Sequence, residues 1–257
     1  MIIRKNQSEI EGIATAGEVV ARCLEMLRSK CRAGVTTEDL DNAAERFIRS
    51  QGGEPAFKGY RGFPKSICAS PNSMVVHGIP GPYMLERGDV ISLDVGVEID
   101  GWVADAAITV PIRPVSPVAT KLLKATREAL ESGVERCNPG ARLGDVSNAV
   151  QRRVEQDGFS VIRSLVGHGI GRSMHEDPQI PNFGESGRGP AIEEGMVFCI
   201  EPMVCVGGPM VRMGDDNWAI YSEDGSLTAH FEHTVAVTPE GPRVLTPWHR
   251  KEQRAAA

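Results

Sequence analysis

The sequence lacks several features that would point to other classes of protein. No run of its 257 residues approaches the 18 or more consecutive apolar residues that a membrane-spanning helix needs, so no membrane partner is predicted. No basic cluster stands out, and a net charge of −6 argues against nucleic acid as the main partner. The first residues, MIIRKNQSEIEGI, carry charges where a signal peptide needs an apolar stretch, so a cytoplasmic location is expected.

The six cysteines contain no C-x-x-C pair and give no sign of a disulfide framework or a zinc knuckle. We expect them to be reduced and mostly buried thiols. The length of the chain is sufficient for one large domain with a substantial core.

Two aspartates, Asp94 and Asp105, lie on either side of the dipeptide Asp100-Gly101. This dipeptide is typical of a two-residue type I′ hairpin turn, because both central residues of that turn need a positive φ. A turn at that point places Asp105 opposite Gly96, two residues from Asp94 on the same face. Diagonal neighbours of this kind have Cβ atoms about 7–8 Å apart, which suits two carboxylates that bind one pair of metal ions. The alternative is two solvated acids on an exposed ribbon.

The chain contains an internal repeat with a shift of 106 residues. Nine of the 29 positions from 24 to 52 are identical to the positions that follow them at this distance. Each copy predicts two helices. The first helices are predicted to begin near Ser8 and at Ser116-Pro117, where serine caps the helix and proline fits its first turn. The second helices are predicted at about 37–51 and 143–157, each ended by a glycine.

With a shift of 107 residues, the repeat reaches the predicted strands and matches acid with acid. LERGDVISLDV aligns with IEEGMVFCIEP, so Asp94 corresponds to Glu201. Later in the chain, at a larger spacing, the likeness of DAAITV at 105–110 to EHTVAV at 232–237 places Asp105 opposite Glu232. If the halves pack about a pseudo-two-fold axis, four carboxylates converge on it. Burying four uncompensated charges is prohibitive, and two divalent cations would neutralise them. The sequence therefore predicts a dinuclear metal site, unless the short matches arise by chance.

Two histidines end similar apolar segments. SMVVHGIP at 73–80 ends its apolar run at His77, and SLVGHGIG at 164–171 ends its run at His168. A histidine where a strand meets a glycine-bent edge favours a ligand or a catalytic group over a core residue. His175 follows His168 by seven residues.

The remaining histidines are predicted to have other roles. His230 shares the polar face of its segment with Glu232 and is expected to support a metal ligand. His233 lies on the apolar face and is expected to be structural, and His249 belongs to a tail that we expect to be poorly ordered. A site with one imidazole and four carboxylates favours Mn²⁺, Fe²⁺ or Co²⁺ over the thiolate-bound class of structural zinc, with Zn²⁺ left open.

Four motifs together carry a resemblance to a known family: GYRGFPKSICASPNSMVVHGIP at 59–80, GHGIGRSMHEDP at 167–178, GMVFCIEPM at 195–203 and FEHTVAVT at 231–238. They resemble those of the type I methionine aminopeptidases of the pita-bread metallopeptidase family, in the short bacterial form. The resemblance implies a single catalytic domain over residues 1–257, with an α/β (α+β) pita-bread fold. Its two pseudo-two-fold-related halves, about 1–112 and 113–246, would pack helices outside a curved antiparallel sheet, followed by a tail at 247–257.

The resemblance also implies a function. Members of the family are cytoplasmic enzymes that remove the initiator methionine from nascent proteins whose second residue is small. The expected partner is the N-terminal methionine of nascent polypeptides, with the ribosome as a further candidate, and the molecule is expected to be a monomer. Two divalent metal ions, Co, Mn, Fe(II) or Zn, would hold a water between them and activate it for attack on the first carbonyl carbon.

Residue roles follow from the resemblance, position by position. The implied metal ligands are Asp94, Asp105, His168, Glu201 and Glu232. Glu201 is also expected to transfer the proton of the attacking water, His175 to stabilise the oxyanion, and His77 to lie beside the scissile amide. The implied methionine pocket consists of Tyr60, Phe63, Cys68 and Trp218, with Met174 at its rim.

The chain departs from the family pattern at four positions that are not ligands. Ala104 and Ala106 flank Asp105, where the family commonly has glycine before the aspartate and a hydroxyl residue after it. Gly96 replaces a frequent threonine, and Phe57 stands where some members have cysteine. These departures leave the implied ligands intact and affect the residues that support them.

Two other functions compete with this prediction. An X-Pro aminopeptidase or prolidase-type peptidase of the same fold would use the same five ligands, because fold does not determine substrate. The segment 60–77 resembles the methionine aminopeptidases specifically. A metal-free, non-catalytic binding protein is the other alternative, and the presence of all five ligands argues against it.

Overall fold

The structure, a computed structural model, describes residues 1–248, so His249 and the remaining residues to 257 lie outside the described residues. Trp248, predicted as part of the tail that begins at 247, is instead buried and donates from its indole N–H to the Glu232 carbonyl at 3.0 Å. The helices are α1 (Gln7–Lys30), α2 (Thr37–Ser50), α3 (Pro117–Val134) and α4 (Leu143–Gln156), with a short 3-10 turn at Tyr60–Gly62. The strands are β1 (Glu54–Pro55), β2 (Cys68–Pro71), β3 (Met74–Val76), β4 (Val90–Ile99), β5 (Trp102–Pro111), β6 (Ser160–Val161), β7 (Val166–Gly169), β8 (Glu176–Pro181), β9 (Val197–Ile200), β10 (Met203–Cys205), β11 (Val211–Met213), β12 (Ile220–Ser222), β13 (Thr228–His230), β14 (His233–Thr238) and β15 (Gly241–Val244).

The helix starts follow from local capping. Ser116 caps α3 as predicted, and its Oγ accepts a hydrogen bond of 3.1 Å from the N–H of Ala119. Helix α1 begins one residue earlier than predicted, because Asn6 is its cap. The Asn6 side chain accepts from the Glu9 N–H at 3.1 Å, and the Glu9 carboxylate accepts from the Asn6 N–H at 2.9 Å.

The internal repeat is present in the hydrogen bonds of both halves. The Gly34 N–H donates to the Leu85 carbonyl at 2.8 Å, and at the corresponding place the Gly140 N–H donates to the Ile192 carbonyl at 2.9 Å. Each of these loops leads into the second helix of its half. The repeat-matched aspartates at 39 and 145 make the same bond there: each carboxylate accepts from the N–H of the residue that precedes the helix, Thr36 at 3.0 Å and Arg142 at 2.8 Å.

The predicted hairpin is confirmed, in register and in turn geometry. Asp100 and Gly101 have φ values of 51° and 74°, which a type I′ turn requires. Strands β4 and β5 pair so that Gly96 lies opposite Asp105. The other face of β4 is buried from residue 91 to residue 97 and packs against α1, through the apolar residues Ile91, Leu93, Val95 and Val97. A slip of one residue would drive Asp94 into this core.

Two larger antiparallel sheets carry the repeat-related strands. In one, β4 pairs with β5 along its whole length on one edge, and with β2 (at 91–94) and β1 (at 97–98) on the other. In the other, the order is β15-β14-β9-β7-β8, with β9 at its centre. Two three-stranded sheets, β13-β10-β6 and β11-β12-β3, complete the described strands. Strands β4 and β9 therefore hold equivalent central places in the two halves.

The two halves are joined by threonine side chains along the contact of β5 with β13 and β14. Thr234 Oγ1 accepts from the Asp105 N–H at 3.0 Å and donates to the Asp105 carbonyl at 2.8 Å. Thr109 Oγ1 accepts from the His230 N–H at 2.9 Å and donates to the His230 carbonyl at 2.8 Å. These reciprocal bonds fix the backbones of Asp105 and His230, one from each half, relative to each other.

The structure also bears on the composition of the chain. All six cysteines are free, and five of them are buried, as predicted. Among residues 1–248, no helix is both long enough and apolar enough to cross a bilayer.

Candidate active site

The five predicted metal ligands come together from both halves at one cavity of about 290 Å³. Asp94 lies in the middle of β4 and Asp105 in β5, so the hairpin supplies one pair of carboxylates. His168 lies in β7, Glu201 directly follows β9, and Glu232 directly precedes β14. All five side chains line the cavity. The pseudo-symmetric placement that the repeat predicts therefore produces a shared site.

Four buried carboxylate oxygens at this site have no hydrogen-bond partner among the described residues. They are Asp94 Oδ1, Asp105 Oδ1, Glu201 Oε1 and Glu232 Oε1. Buried polar atoms are normally satisfied, so four orphaned acceptors in one place indicate a missing positive partner. Carboxylate oxygens are the donors that hard and borderline divalent cations prefer, and these residues therefore fit a metal centre.

The pKa values of the carboxyl groups show the same need for positive charge. Burial raises the pKa of Asp94 well above its usual range, and the charges of Asp105 and Glu232 raise it further. The same causes, burial followed by neighbouring carboxylates, raise the pKa values of Glu201 and Glu232. Burial raises the pKa of Asp105 to about 6, although a hydrogen bond with Asp94 opposes the shift. Bound cations would stabilise the ionised forms of all four groups.

His168 is oriented to present one nitrogen to the site. Its Nδ1 lies 3.0 Å from the Gly169 carbonyl, which can only accept, so the proton is on Nδ1. The free Nε2 lies 3.5 Å from Glu201 Oε1. Burial lowers the pKa of His168, which favours the neutral ring that a metal ligand requires.

The glycine after each of the two matched histidines is required by close backbone packing. A Cβ at Gly78 would lie 2.2 Å from the Ala69 carbonyl oxygen, and one at Gly169 would lie 2.1 Å from the Asp177 carbonyl oxygen. The His-Gly phrases that predicted functional histidines therefore have a steric basis. His77 itself has a φ of 60°, an uncommon conformation for a residue with a side chain.

Cys199 belongs to the site in a way that the sequence analysis did not foresee. Its Sγ and one donor atom each from Asp105, His168 and Glu232 lie within 4.8 Å of one another. Cys199 does not line the cavity and lies 3.6 Å from Thr234 Oγ1, behind the ligands. Burial raises its pKa well above the usual value, so it remains a thiol. Residues two apart on a strand share a face, so the position of Cys199 on β9, two residues before Glu201, could have predicted that it lies near the ligands.

His175 and His77 lie at the exposed side of the cavity, as a role in substrate contact requires. The Tyr60 hydroxyl lies 2.9 Å from His175 Nδ1, and the two rings stack with centroids 5.4 Å apart. Burial, followed by the neighbouring charges of His168 and Arg61, lowers the pKa of His175 to about 3. His175 is therefore neutral at ordinary pH and can donate a hydrogen bond from Nε2.

Four of the five predicted pocket residues line the cavity. They are Tyr60, Phe63, Cys68 and Trp218. Phe63 and Trp218 meet edge to face with centroids 5.1 Å apart. Met174, predicted at the rim, is not among the lining residues and is buried with its Cε next to Gly96. Met174 thus lies in the core beside the cavity, where glycine at position 96 has no side chain and leaves room for it.

Other lining residues were not predicted as pocket residues. They are Phe57, Arg61, Val76, Ser164, Leu165, Val166, Met203 and His230. Val76 and Val166 belong to the apolar runs that lead to His77 and His168, which is the signal that could have identified them. Met203 follows Glu201 by two residues in the same motif.

Comparisons with known proteins agree with this geometry. The model of metallopeptidase family M24 matches residues 11–239. A methionine aminopeptidase from Clostridium perfringens is 48% identical over 246 residues, covering 96% of this chain and 99% of the relative. The crystal structure of methionine aminopeptidase from Thermotoga maritima has a TM-score of 0.94 and 42% identity, covering 96% of this chain and 99% of that chain.

A more distant structure shares the fold alone. Prolidase from Pyrococcus furiosus is 23% identical, with a TM-score of 0.78 over 95% of this chain and 65% of its own. The predicted pita-bread fold is therefore confirmed. The match to the family model, together with relatives that are similar over nearly their whole length, shows that this chain belongs to metallopeptidase family M24 and, within it, to the methionine aminopeptidases.

Proposed function

We propose that this protein removes the N-terminal methionine from proteins and peptides whose second residue is small. The observation that carries the proposal is the convergence of five potential ligands, with four orphaned carboxylate oxygens, at the base of a cavity of about 290 Å³. A cavity of this size accommodates about one side chain and its backbone, which fits the terminal residue of a peptide. The names of the similar proteins support the same activity.

The metal centre of this proposal comprises two divalent cations. The side chains that would hold the cations are Asp94, Asp105, His168, Glu201 and Glu232, with Asp105 and Glu232 shared by both. When bound, the cations supply Lewis acidity, which makes a water molecule a nucleophile near neutral pH. Co²⁺, Mn²⁺, Fe²⁺ and Zn²⁺ all accept this set of nitrogen and oxygen donors.

The chain's own side chains would perform the proton and charge transfers. The Glu201 carboxylate accepts a proton from the attacking water and delivers it to the leaving amine. His175 is neutral and held by the Tyr60 hydroxyl, so its Nε2–H can donate to the oxyanion that develops on the substrate carbonyl. His77 lies at the exposed side of the cavity, where the second residue of a peptide would leave it.

The side-chain pocket explains the preference for methionine. Phe63 and Trp218 present aromatic faces and edges, and Cys68 adds a thiol next to Asp94, its partner in the strand register. Sulfur makes favourable contacts with aromatic rings, so a thioether fits this lining. The limit on the second residue is steric, because the opening is already occupied by His77 and His175.

The deciding experiment measures methionine release from metal-stripped protein that is titrated with each of the four cations. Met-Gly-Met is the test substrate, and a Gly-Pro dipeptide and an X-Pro peptide are the competitors. We expect cleavage of Met-Gly-Met only, and only after a cation is added. Cleavage that depends on proline would assign the chain to the X-Pro peptidases. A protein that binds no divalent cation and cleaves none of the peptides would be a binding protein.

The remaining predictions concern the setting of the reaction. Nascent polypeptides are the proposed substrates, with the ribosome as a further partner, and the protein is proposed to act as a monomer in the cytoplasm. Sedimentation of the purified protein, alone and with ribosomes, tests the monomeric state and the ribosome contact. Fractionation of cells that express the chain tests its location.

A further inference from the structure

His230 is a buried histidine at the cavity to which no reaction step has been assigned. It ends β13, its exposed fraction is 2%, and it lines the same cavity as the carboxylates. Neither Nδ1 nor Nε2 has a hydrogen-bond partner among residues 1–248. A buried imidazole normally satisfies at least one nitrogen, so this ring is aimed at a group that the protein itself does not supply.

The distances around His230 indicate what that group is. Its Nε2 lies 3.8 Å from Glu232 Oε2 and 3.9 Å from Glu201 Oε2. These distances are too long for hydrogen bonds, which end near 3.2 Å. They are within reach of a common cation, because two donor atoms that each lie about 2.0–2.2 Å from one ion can be separated by up to roughly 4 Å. For comparison, His168 Nε2 lies 3.5 Å from Glu201 Oε1.

Glu201 therefore lies between two imidazoles, with one carboxylate oxygen facing each. The backbone of His230 is fixed from the opposite half of the molecule by the pair of Thr109 hydrogen bonds of 2.8 and 2.9 Å. The backbone that carries the ring is thus held in place before any ligand binds. A nitrogen donor that is held beside two carboxylates can form part of a coordination shell whose donors are in place before the metal binds.

We propose that His230 Nε2 is an additional ligand of the cation that Glu201 and Glu232 bind. The inference rests on the proposed metal centre and adds a second imidazole to it. It also narrows the choice of metal, because imidazole donors favour the borderline cations Co²⁺, Zn²⁺ and Fe²⁺ over Mn²⁺. The competing role for His230 is that of a hydrogen-bond donor to the two glutamates, which an amide side chain could perform equally well.

His230→Gln separates these two roles, because glutamine keeps an N–H donor of similar reach and removes the imidazole. The full-length protein and the variant are loaded with Co²⁺, and X-ray absorption spectroscopy counts the imidazoles bound to the metal. Calorimetry measures Co²⁺ affinity in parallel. His233→Gln is the matched control, since it removes a nearby imidazole that does not line the cavity. His230→Asn is the second variant if His230→Gln does not fold.

We expect the wild-type protein and the control to show two histidine nitrogens and His230→Gln to show one. The affinity of the variant should fall by more than the roughly 10–100-fold that loss of a supporting partner costs. An equal imidazole count in wild type and variant, or an affinity loss of about 100-fold or less, would overturn the assignment and leave His230 as a supporting donor. A wild-type protein that binds no Co²⁺ would instead overturn the proposed function itself.

Discussion

The ring of Phe57 occupies the space that a side chain at Gly96 would need. A Cβ at position 96 would lie 2.8 Å from a ring carbon of Phe57 and 2.7 Å from Met174 Cε. Both distances are below normal contact, so a side chain at position 96 would have to displace the Phe57 ring and the end of Met174. Two departures from the family pattern, phenylalanine at 57 and glycine at 96, therefore compensate each other. Because Gly96 faces Asp105 across the hairpin, this packing also determines the surroundings of a ligand.

Gly96→Thr alone should destabilise the protein by about 1–3 kcal/mol, because it overpacks a closed part of the core. Phe57→Cys alone should also be destabilising, because it leaves a cavity. The double variant should recover much of the loss, so that the effects are not additive. Urea unfolding of the four proteins measures the coupling free energy. Additive effects would show that the two positions are independent.

Thr234 provides a test of the contact between the halves. Its hydroxyl is the partner of both the N–H and the carbonyl of Asp105. Thr234→Val keeps the shape and leaves both buried groups unpaired, which should cost about 1–3 kcal/mol of the free energy of unfolding. Thr234→Ser retains the hydroxyl and is the control. We expect it to stay within about 1 kcal/mol of wild type, because it loses only one methyl group.

The pKa values of the carboxyl groups predict how pH affects the metal-stripped protein. In the unfolded chain these groups titrate near pH 4. In the folded protein their pKa values are raised, with that of Asp105 at about 6. Above pH 4 these carboxyl groups thus bind more protons in the folded state than in the unfolded chain, so their contribution to stability should fall as pH rises from about 4 through the folded pKa values. The lowered pKa values of His168 and His175 act in the opposite direction below about pH 6.5. Urea unfolding of wild type and Asp94→Asn at pH 5 and pH 7.5 separates the two effects, and we expect the stability of wild type relative to the variant to be higher at pH 5.

Addition of a divalent cation should reverse that trend. Metal binding requires ionised carboxylates, so it gains strength as pH rises over the same range. The metal-loaded protein should be more stable at pH 7.5 than the stripped protein, by an amount that grows with metal concentration. An equal difference in stability between stripped wild type and stripped Asp94→Asn at both pH values would contradict burial of the four acids as a group.

Much of the site follows from local sequence, because its determinants are short in range. The Asp100-Gly101 turn fixes the register of the hairpin, and the register fixes the relation of Asp105 to Asp94. The repeat adds Glu201 and Glu232, since duplicated halves place equivalent residues about one axis. These features depend on turn chemistry and alternation, which a sequence displays directly.

The features that the sequence did not reveal depend on packing between distant segments. The side chain of Met174 lies in the core because Gly96 leaves a space there. The sequence around residue 174 gives no indication of that space. Cys199 was expected to be an ordinary buried thiol, and its closeness to Asp105 follows from the arrangement of the two halves. His230 was expected to support a ligand, but its lack of any partner is visible only in three dimensions.

Tyr60→Phe tests how His175 is held. The variant keeps the ring that stacks on His175 and removes only the hydroxyl that lies 2.9 Å from its Nδ1. One hydrogen bond of this kind contributes about 0.5–1.5 kcal/mol, so kcat should fall by roughly 2–12-fold with little change in KM. Because the pKa of His175 is about 3, the ratio of wild-type kcat to variant kcat should be constant from pH 6 to pH 9. A loss that varies with pH in that range would contradict a neutral His175.

Glu201→Gln and Asp94→Asn distinguish a working metal centre from a cluster of structural acids. Each change preserves the shape of the side chain and removes one negative charge from the site. For Glu201→Gln we expect kcat to fall by about 10²–10⁴-fold, because the variant loses the group that transfers protons as well as a metal ligand. For Asp94→Asn we expect the affinity for at least one cation to fall, measured by calorimetry on stripped protein.

In the absence of metal both variants should be more stable than wild type at pH 7.5, since each removes a buried charge that the other carboxylates oppose. Structural acids would give unchanged metal content and unchanged rates, and that result would end the proposal of metal-dependent catalysis.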